Sequence, residues 1–396
     1  MRILIAGGGT GGHVFPGLAL AEEVVTRHPG NDAVFVGTRR GLEAQVIPAA
    51  GFPIELIEVR GLKGRGPLES LRSLLLLPRA LLWSIRILRR WRPDVVVGVG
   101  GYASGPVVLA AWLLRMPTAV QEQNAVAGLT NRLLGLVVDA AFTAFGETAA
   151  NFPRGKAVQL GNPIRRQLLE NFMRPSAAEA LPGLLVFGGS QGAHGLNMRV
   201  IEALPHLADL RGRVRIVHQT GGRDREAVVR GYQAVGFEAE VRDFIEDMSA
   251  AYAAADLVVC RAGATTLAEL TACRKPSILI PFPAAADNHQ VINASSLAQA
   301  GAAVMIEERD LTGELLASEI RAILAHPERR QAMARAAGRL GSPAAASEIA
   351  DYCAGLSERR WGSRFGQDRG DDFRPVRPGG VERPAAPGEA PTPRRP

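Results

Sequence analysis

The sequence predicts an α/β protein built of two doubly wound parallel-sheet domains, and three observations support this prediction. Apolar runs of strand length alternate with amphipathic runs of helix length along most of the 396 residues, as in βαβ units. Most strand-like runs have a continuous apolar stretch, which is typical of parallel sheets covered on both faces. The third observation is an internal repeat, because "LIAGGGTGG" at 4–12 and "LVFGGSQGA" at 185–193 each place a glycine loop between a strand and a helix.

The predicted strands form two series, one in each half of the chain. The first series covers 3–6, 33–36, 54–59, 94–99, 118–121 and 140–143, and the second covers 184–187, 214–218, 256–259, 277–281 and 302–306. Because the pattern restarts after "GNPIR" at 161–165, we place the two domains at 1–162 and 163–343. In sheets of this kind, ligands are expected at the carboxyl ends of the strands.

Two further segments follow the second domain. The helix-like stretch at 344–356 is predicted to return to the N-terminal domain. From 357 to 396 the chain is rich in Pro, Gly, Arg and Glu and has no apolar periodicity. Such a segment cannot bury enough apolar surface to offset its ordering entropy, so we predict a disordered tail.

The composition favours anionic partners and an intracellular location. The net charge is +7 and the sequence pI is about 9.9, which suits nucleotides, phosphate groups, nucleic acid or an acidic membrane surface. The three cysteines, Cys260, Cys273 and Cys353, show no paired or metal-ligand spacing, which fits a reducing compartment. Cys260 and Cys273 lie in apolar contexts and are expected to be buried. We find no signal peptide before the first strand and no apolar run near the roughly 20 residues of a spanning helix, so the protein is expected to be soluble or peripheral to a membrane.

The first glycine loop could belong to a dinucleotide-binding site. The pattern G-x-G-x-x-G fits Gly7, Gly9 and Gly12. The second strand ends in "FVGTRR" rather than in an acidic residue, which argues against NAD, although Arg39 and Arg40 leave NADP open. A tight turn that packs a helix on a strand would explain these glycines. It would not explain why the second half of the chain has a similar glycine loop between a strand and a helix.

His13 is the candidate general base. It follows the first glycine loop directly, where a helix should begin. The positive end of a helix disfavours imidazolium and so keeps a histidine neutral, as a base must be. The alternative is a surface or capping histidine without a chemical role.

Polar residues follow other predicted strands of both domains. Gln121, Glu122, Gln123 and Asn124 stand at a strand end, where they either line a polar cleft or form an ordinary helix-capping loop. In the second half, helix-start amides at Ser190 to Gly192 and at Gly263 to Thr266 suit phosphate. Glu269, one turn behind the latter, can accept hydrogen bonds from both ribose hydroxyls, unless it is a plain Glu favoured by the helix dipole. The polar cluster at 287–290 could bind a sugar through its hydroxyls.

Seven motifs together resemble one family, the MurG family of bacterial peptidoglycan glycosyltransferases. They are "GGTGGHVFPGLALAEE", "GVGGYASGP", "EQNAVAGLTNR", "GNPIR", "FGGSQGAHGLN", "HQTG" and "RAGATTLAEL…DNHQVINA", in the family's order over roughly 3–310. The resemblance implies the GT-B fold, in which two Rossmann-like domains face a cleft. It also implies transfer of N-acetylglucosamine from UDP-N-acetylglucosamine to the 4-hydroxyl of the muramoyl sugar of lipid I, giving lipid II with inversion.

The resemblance carries site roles to matching positions of this chain. Thr10, Gly11 and Gly12 match the N-domain loop at the sugar-nucleotide site, Asn124 and Arg165 match residues of the "EQN" and "GNP" motifs, and Ser190 matches the serine of "GGSQG". Ile245 matches the residue whose backbone contacts uracil, and Gln290 matches the glutamine that contacts the transferred sugar. The stretch implied to hold phosphate and ribose is Ala264, Thr265, Thr266, Leu267, Ala268 and Glu269.

The same resemblance guides the expectations on metal, membrane and partners. No Asp-x-Asp pair is placed to hold a divalent cation, so we expect no obligatory metal and no cofactor. The acceptor is lipid-linked, and segment 62–92 combines leucines, Trp83 and seven arginines, as in a helix at an anionic interface. The alternative for this segment is a helix packed on the sheet with a solvated basic face. We therefore expect a peripheral protein at the cytoplasmic face of the plasma (inner) membrane, with no nucleic-acid partner.

Three other activities stay open at this stage. A UDP-N-acetylglucosamine 2-epimerase would share the fold and the donor but isomerise it. A nucleotide-binding oxidoreductase would use NAD(P)H instead. Among glycosyltransferases, a diacylglycerol sugar transferase is the nearest in kind.

Overall fold

A computed structural model describes residues 1–59, 67–172, 181–189, 191–285 and 288–362, with side chains from Leu77 onward in the helix that begins at Pro67. The N-terminal domain holds a parallel sheet of seven strands. They are β1 (Arg2–Gly7), β2 (Asp32–Gly37), β3 (Ile54–Leu56), β4 (Val95–Gly100), β5 (Thr118–Glu122), β6 (Ala140–Thr143) and β7 (Ala157–Gln159). Their spatial order is β3-β2-β1-β4-β5-β6-β7, so the strand order reverses between β1 and β4. A ligand crevice is expected at the carboxyl ends of those two strands.

Helices cover both faces of this sheet. They are α1 (Gly11–Arg27), α2 (Glu43–Ala49), α3 (Pro67–Trp91), α4 (Ser104–Leu113) and α5 (Leu129–Leu134). Side chains of α1 pack with β1, β2 and β4 in one core, and side chains of α3, α4 and α5 fill the core on the opposite face. The strands are buried almost throughout, which explains their continuous apolar sequence.

The C-terminal domain repeats the design with six parallel strands in the order β10-β9-β8-β11-β12-β13. The strands are β8 (Gly183–Phe187), β9 (Arg215–Gln219), β10 (Ala239–Arg242), β11 (Leu257–Cys260), β12 (Ser277–Leu279) and β13 (Ala303–Met305). The helices are α6 (Arg166–Phe172), α7 (His194–Ala203), α8 (Arg225–Ala234), α9 (Met248–Ala253), α10 (Ala264–Ala272), α11 (His289–Gln299), α12 (Gly313–Leu324), α13 (Pro327–Leu340) and α14 (Ala345–Trp361). The prediction of two doubly wound parallel-sheet domains is confirmed.

The last helix packs on the first domain. Ile349, Ala350 and Cys353 of α14 are fully buried in the core that α1 shares with β1 and β4. The helix runs to Trp361, so the predicted tail boundary at 357 is wrong for its first residues. The reason is long-range bonding, because Trp361 Nε1 donates to the carbonyl of Asp94 over 3.2 Å. The remainder of the predicted tail, 363–396, lies outside the described residues.

Strands β7 and β10 are absent from the sequence prediction. Both lie at sheet edges, and both are partly exposed. Short edge strands bury only part of their surface, so they lack the continuous apolar run by which the central strands are recognised.

Two expectations about composition can be compared with the structure. Cys260 and Cys273 are buried free thiols, as predicted, and so is Cys353; burial raises the pKa of Cys273 and Cys353 to about 12. Within the described ranges, no helix combines the length and the apolar character needed to cross a bilayer.

Candidate functional site

The first glycine loop is held by a buried carboxylate. Glu43 is 2% exposed, and its Oε2 accepts a hydrogen bond from the N–H of Gly9 over 2.7 Å. Its Oε1 accepts from both the N–H and the hydroxyl of Thr38, at 2.8 and 2.9 Å. Gly8, Gly37 and Gly41 leave the space that this carboxylate fills, because a Cβ at any of them would lie 2.0–2.4 Å from a Glu43 side-chain atom. Close approach to Glu43 therefore explains three glycines around the loop.

His13 lies where β1, β4 and β5 end. Its ring packs over Gly100, where an added Cβ would lie 2.7 Å from Nδ1. Nδ1 is 3.2 Å from Oε1 of Gln123. The ring is partly exposed, and the backbone N–H of His13 donates to the carbonyl of Thr10 in the first turn of α1. The other loop positions, Gly11 and Gly12, lie in the same turn.

The polar run after β5 is mostly structural. Gln121, Glu122 and Gln123 are 1–2% exposed, so of the two alternatives the one in which they line a polar cleft does not hold for these three side chains. The reason is that their side chains tie down the backbone of the domain. Glu122, for example, accepts hydrogen bonds from the N–H groups of Asn124 and Gly128.

Asn124 joins the two domains. Its Oδ1 accepts a hydrogen bond from Nδ2 of Asn293, on α11, over 3.2 Å. Oδ1 of Asn293 accepts in turn from the N–H of Ala125 over 2.8 Å. Gln290 lies one turn earlier on α11, and its Oε1 accepts from the N–H of Phe282. The two amide residues predicted from the "EQN" and "DNHQ" motifs are therefore linked across the domain boundary by α11.

The start of α10 carries the features of an anion site with a carboxylate behind it. Gly263 caps the helix with an extended backbone, and Ala264, Thr265 and Thr266 form the first turn, followed by Leu267 and Ala268. The hydroxyl of Thr265 is buried without a hydrogen-bond partner in the described part of the chain. Glu269 is partly buried, and its Oε2 accepts a hydrogen bond from Tyr252 over 2.9 Å. Burial raises the pKa of Glu269 to about 7, against the lowering effects of Tyr252 and Arg165.

Arg165 lies where both domains approach. Its guanidinium is 5.4 Å from the ring centroid of Phe15, on α1. It also lines a cavity of about 220 Å³ together with Glu246 and Met248. Since its charge lowers the pKa of Glu269 as well, Arg165 is close to the start of α10.

Ile245 is coupled to the second glycine loop through Gln219. The N–H of Ile245 donates to Oε1 of Gln219 over 3.1 Å, and Nε2 of Gln219 donates to the carbonyl of Gly189 over 2.8 Å. Gly192 has φ +74°, and a Cβ there would lie 1.9 Å from the carbonyl oxygen of Thr220. Ser190, the predicted phosphate ligand of this loop, lies outside the described residues, as does Asp287 of the predicted sugar cluster.

Sequence reasoning missed two residues that support the site. Tyr252 is fully buried, and no local pattern marks its partner seventeen positions away. Glu43 follows two glycines, Gly37 and Gly41, and a charged residue among glycines after a strand is a signal that could have been used. Tyr252 holds the carboxylate of Glu269, and Glu43 holds the first glycine loop. Both Glu269 and the loop were identified from the sequence.

A second candidate surface lies on α3, α4 and α5. On α3 the side chains of Ser84, Ile87 and Leu88 are buried, whereas Leu82 and Trp83 are 56% and 48% exposed. From Leu77 onward, one face of the helix therefore packs into the core of the domain, and the other exposes apolar and basic side chains; residues 62–66 lie outside the described residues. Further exposed apolar residues, on the adjoining helices and just after α5, are Leu109, Trp112, Leu113, Leu129, Leu133 and Leu136. We call these, with Leu82 and Trp83, the apolar face.

Comparison with known proteins agrees with this geometry. Residues 3–143 match the glycosyltransferase family 28 N-terminal domain, and residues 183–349 match the glycosyltransferase family 28 C-terminal domain. A UDP-N-acetylglucosamine--N-acetylmuramyl-(pentapeptide) pyrophosphoryl-undecaprenol N-acetylglucosamine transferase of Anaeromyxobacter sp. (strain Fw109-5) is 76% identical over 96% of this chain and 99% of its own length. The enzyme of the same name from Myxococcus xanthus (strain DK1622) is 59% identical over 91% of this chain and 94% of its own.

A solved structure extends the comparison to three dimensions. The crystal structure of MurG from Acinetobacter baumannii superimposes with a TM-score of 0.73 at 32% sequence identity, over 89% of this chain and 99% of that one. The GT-B arrangement implied by the motifs is thus confirmed, and so is the resemblance itself. The chain belongs to the MurG family and is a glycosyltransferase.

Proposed function

We propose that this chain transfers N-acetylglucosamine from UDP-N-acetylglucosamine to the 4-hydroxyl of the muramoyl sugar of lipid I, with inversion, to form lipid II. The donor and the acceptor follow from the names of its relatives. The observation that carries the proposal lies on α10. The buried hydroxyl of Thr265 has no hydrogen-bond partner in the described part of the chain, and the carboxylate of Glu269, held by Tyr252, follows one turn later.

The donor domain can meet each part of a sugar nucleotide. The carboxylate of Glu269 accepts hydrogen bonds from the ribose hydroxyls, and the amides at the start of α10 face the diphosphate. The backbone of Ile245 contacts the uracil. Gln290 contacts the transferred sugar, and Asn124 contacts the same sugar from the N-terminal domain. This assignment is supported by the bond between Asn124 and Asn293, because Asn293 lies on α11, the helix that also carries Gln290.

Departure of UDP needs charge stabilisation. Negative charge grows on the diphosphate while the sugar gains oxocarbenium character. Fixed amides of α10 and the guanidinium of Arg165 can meet that charge without reorganising. Arg165 is suited to this because it lies between Phe15 of one domain and Glu269 of the other.

Attack by the acceptor needs a base on the opposite side of the sugar. His13 takes the proton of the 4-hydroxyl, the new bond forms to C1 of the sugar, and the electron pair of the broken bond leaves with UDP. His13 is supported by its position at the strand ends of the N-terminal domain and by its partly exposed ring. The loop at 8–12 beside it admits the acceptor.

The apolar face is the proposed membrane contact. Its leucines and tryptophans are accompanied by exposed Arg86, Arg89, Arg115 and Arg132, which suit an anionic lipid surface. Because the acceptor is lipid-linked, we place the protein peripherally at the cytoplasmic face of the inner membrane.

One assay tests the proposal directly. Labelled UDP-N-acetylglucosamine is incubated with and without a lipid I analogue, and products are separated by chromatography. Label in the lipid fraction only when the analogue is present supports the proposal. Conversion of the donor without the acceptor would indicate an epimerase, and absence of lipid product with a correctly folded, donor-binding protein would refute the proposal.

A further inference from the structure

The amide of Gln123 has only one orientation that its surroundings accept. Its nitrogen, Nε2, donates to the carbonyls of Val99 and Gln121, at 3.0 and 3.3 Å. A flipped amide would place its oxygen against those two carbonyl oxygens, where no hydrogen is available. Gln123 is 1% exposed, so water does not replace either bond. The oxygen Oε1 must therefore be the atom that faces His13.

This orientation determines which nitrogen of His13 carries the proton. Oε1 of Gln123 lies 3.2 Å from Nδ1 of His13 and can only accept a hydrogen bond. A neutral imidazole has one N–H, so the proton is on Nδ1 and the lone pair is on Nε2. A free imidazole side chain in water prefers the opposite tautomer, so the protein imposes this one.

The ring itself is also fixed. Gly100 has φ +96° and leaves the space in which the imidazole lies, so neither a side chain nor water separates ring and strand there. Nε2 of His13 has no hydrogen-bond partner within the described ranges. It is therefore the nitrogen available to a substrate hydroxyl.

We infer that Gln123 is a positioning residue that sets the Nδ1–H tautomer of His13 and so makes Nε2 the proton-accepting atom. This inference rests on the proposed function of His13. In the transfer step the proton of the 4-hydroxyl moves to Nε2, and the imidazolium keeps its Nδ1–H bond to Gln123. The amide of Gln123 accepts a hydrogen bond but is too weak a base to take up the proton. The proton therefore leaves from Nε2 to solvent. Gln123 thus orients the base without sharing its proton.

The first test is spectroscopic. The chain has seven histidines, so nitrogen-15 spectra of histidine-labelled protein are recorded for the parent and for His13→Asn, and the signals lost in the variant belong to His13. The parent should show a protonated Nδ1 and an unprotonated Nε2. Gln123→Met cannot accept a hydrogen bond and should shift His13 toward the Nε2–H tautomer. Gln121→Met, which removes another buried amide of β5, is the matched control and should leave the His13 signals unchanged. A parent with Nε2–H would overturn the inference.

The second test is kinetic. Gln123→Met should lower kcat about 10–100-fold, the usual effect of removing a partner that orients a functional histidine, while the Kd for UDP-N-acetylglucosamine stays unchanged. In a His13→Ala background the same substitution should have no further effect. An equal loss in both backgrounds would show that Gln123 acts through the fold, which overturns the inference.

The two failures can be told apart. If His13→Ala turns over like the parent, the base assigned under the proposed function is wrong, and the inference fails with it. If His13→Ala is slow but Gln123→Met keeps both the tautomer and the turnover of the parent, only the inference about Gln123 fails.

Discussion

The phenol of Tyr252 donates a hydrogen bond to Oε2 of Glu269 over 2.9 Å. Burial raises the pKa of Glu269 to about 7, and the bond from Tyr252 opposes that rise. A carboxyl group in this state is close to half ionised at neutral pH, so small changes in its hydrogen bonding alter its charge. Two predictions rest on this pair.

Affinity for UDP-N-acetylglucosamine should fall as the pH is lowered through 7. Ribose hydroxyls bind the ionised form of Glu269 better, so the bound state has the lower pKa, and a protonated free site must lose its proton on binding. The sign follows: affinity is highest above pH 7 and weakens by up to about tenfold per pH unit below it. Calorimetric titration across this range measures the effect, and binding near pH 7 should release a fraction of a proton.

Glu269→Gln is the control for this pH dependence. The variant should bind the donor about 10–100-fold more weakly at high pH, since a charged hydrogen-bond partner is worth roughly 1.5–3 kcal/mol. Its affinity should no longer depend on pH in this range. Unchanged affinity at high pH would remove Glu269 from the donor site.

Tyr252→Phe should move the midpoint of the same pH profile above 7. The phenol stabilises the ionised carboxylate, so its removal raises the pKa of Glu269 further. The folded state should lose about 0.5–1.5 kcal/mol, the usual value of one hydrogen bond, which thermal unfolding can check. A midpoint that stays in place or moves down would contradict the role given to Tyr252.

His13→Asn should slow turnover by about 10²–10⁴-fold, the usual contribution of a positioned general base. Asparagine can hydrogen-bond but cannot take the proton. Donor affinity should stay nearly unchanged, because the contacts of His13 with Gln123 and Gly100 all lie in the N-terminal domain. Steady-state kinetics with a soluble acceptor measures this. Parental turnover would mean that the base lies elsewhere, and a lowered melting temperature with normal turnover of the folded fraction would mean that His13 is structural.

The apolar face can be tested by vesicle binding. A variant with Leu82→Ser, Trp83→Ser, Arg86→Glu and Arg89→Glu should be released from anionic vesicles and keep its activity on a short-chain soluble acceptor. Leu315→Ser, on α12 of the other domain, removes a leucine that is 38% exposed and is the matched control. Cosedimentation measures binding. If the fourfold variant still binds like the control, the membrane contact lies on another surface.

Much of the fold could be predicted because its central strands are buried on both faces. Runs such as "ILIA" and "VVVGV" lack polar side chains for that reason, and each matches a strand of the structure. Strands β7 and β10 were not predicted, because "AVQ" and "AEVR" are short, partly exposed runs that contain polar residues. The true end of α14 escaped for a different reason, since Trp361 is held by a carbonyl far away in the chain.

The candidate site was predictable only where chemistry leaves a local signature. A glycine loop before a helix, or a Glu one turn into α10, can be recognised from neighbouring residues alone. The burial of Gln121 and Gln123 could not, because their side chains donate to the carbonyls of Gly161 and Val99, which are distant in the sequence. Polar residues at a strand end look alike in sequence, whether they face a ligand or secure the sheet.

The carboxylate of Glu43 has a consequence for how this loop can change over evolutionary time. It occupies space that Gly8, Gly37 and Gly41 must leave open, and it satisfies the N–H groups of Gly9 and Thr38. A larger side chain at any of those glycines displaces the carboxylate, and loss of the carboxylate leaves both N–H groups without that acceptor. A single substitution at one of these positions therefore gives a protein with a less stable loop. Positions 8, 37, 41 and 43 are therefore expected to covary as one unit, either retained together or replaced together.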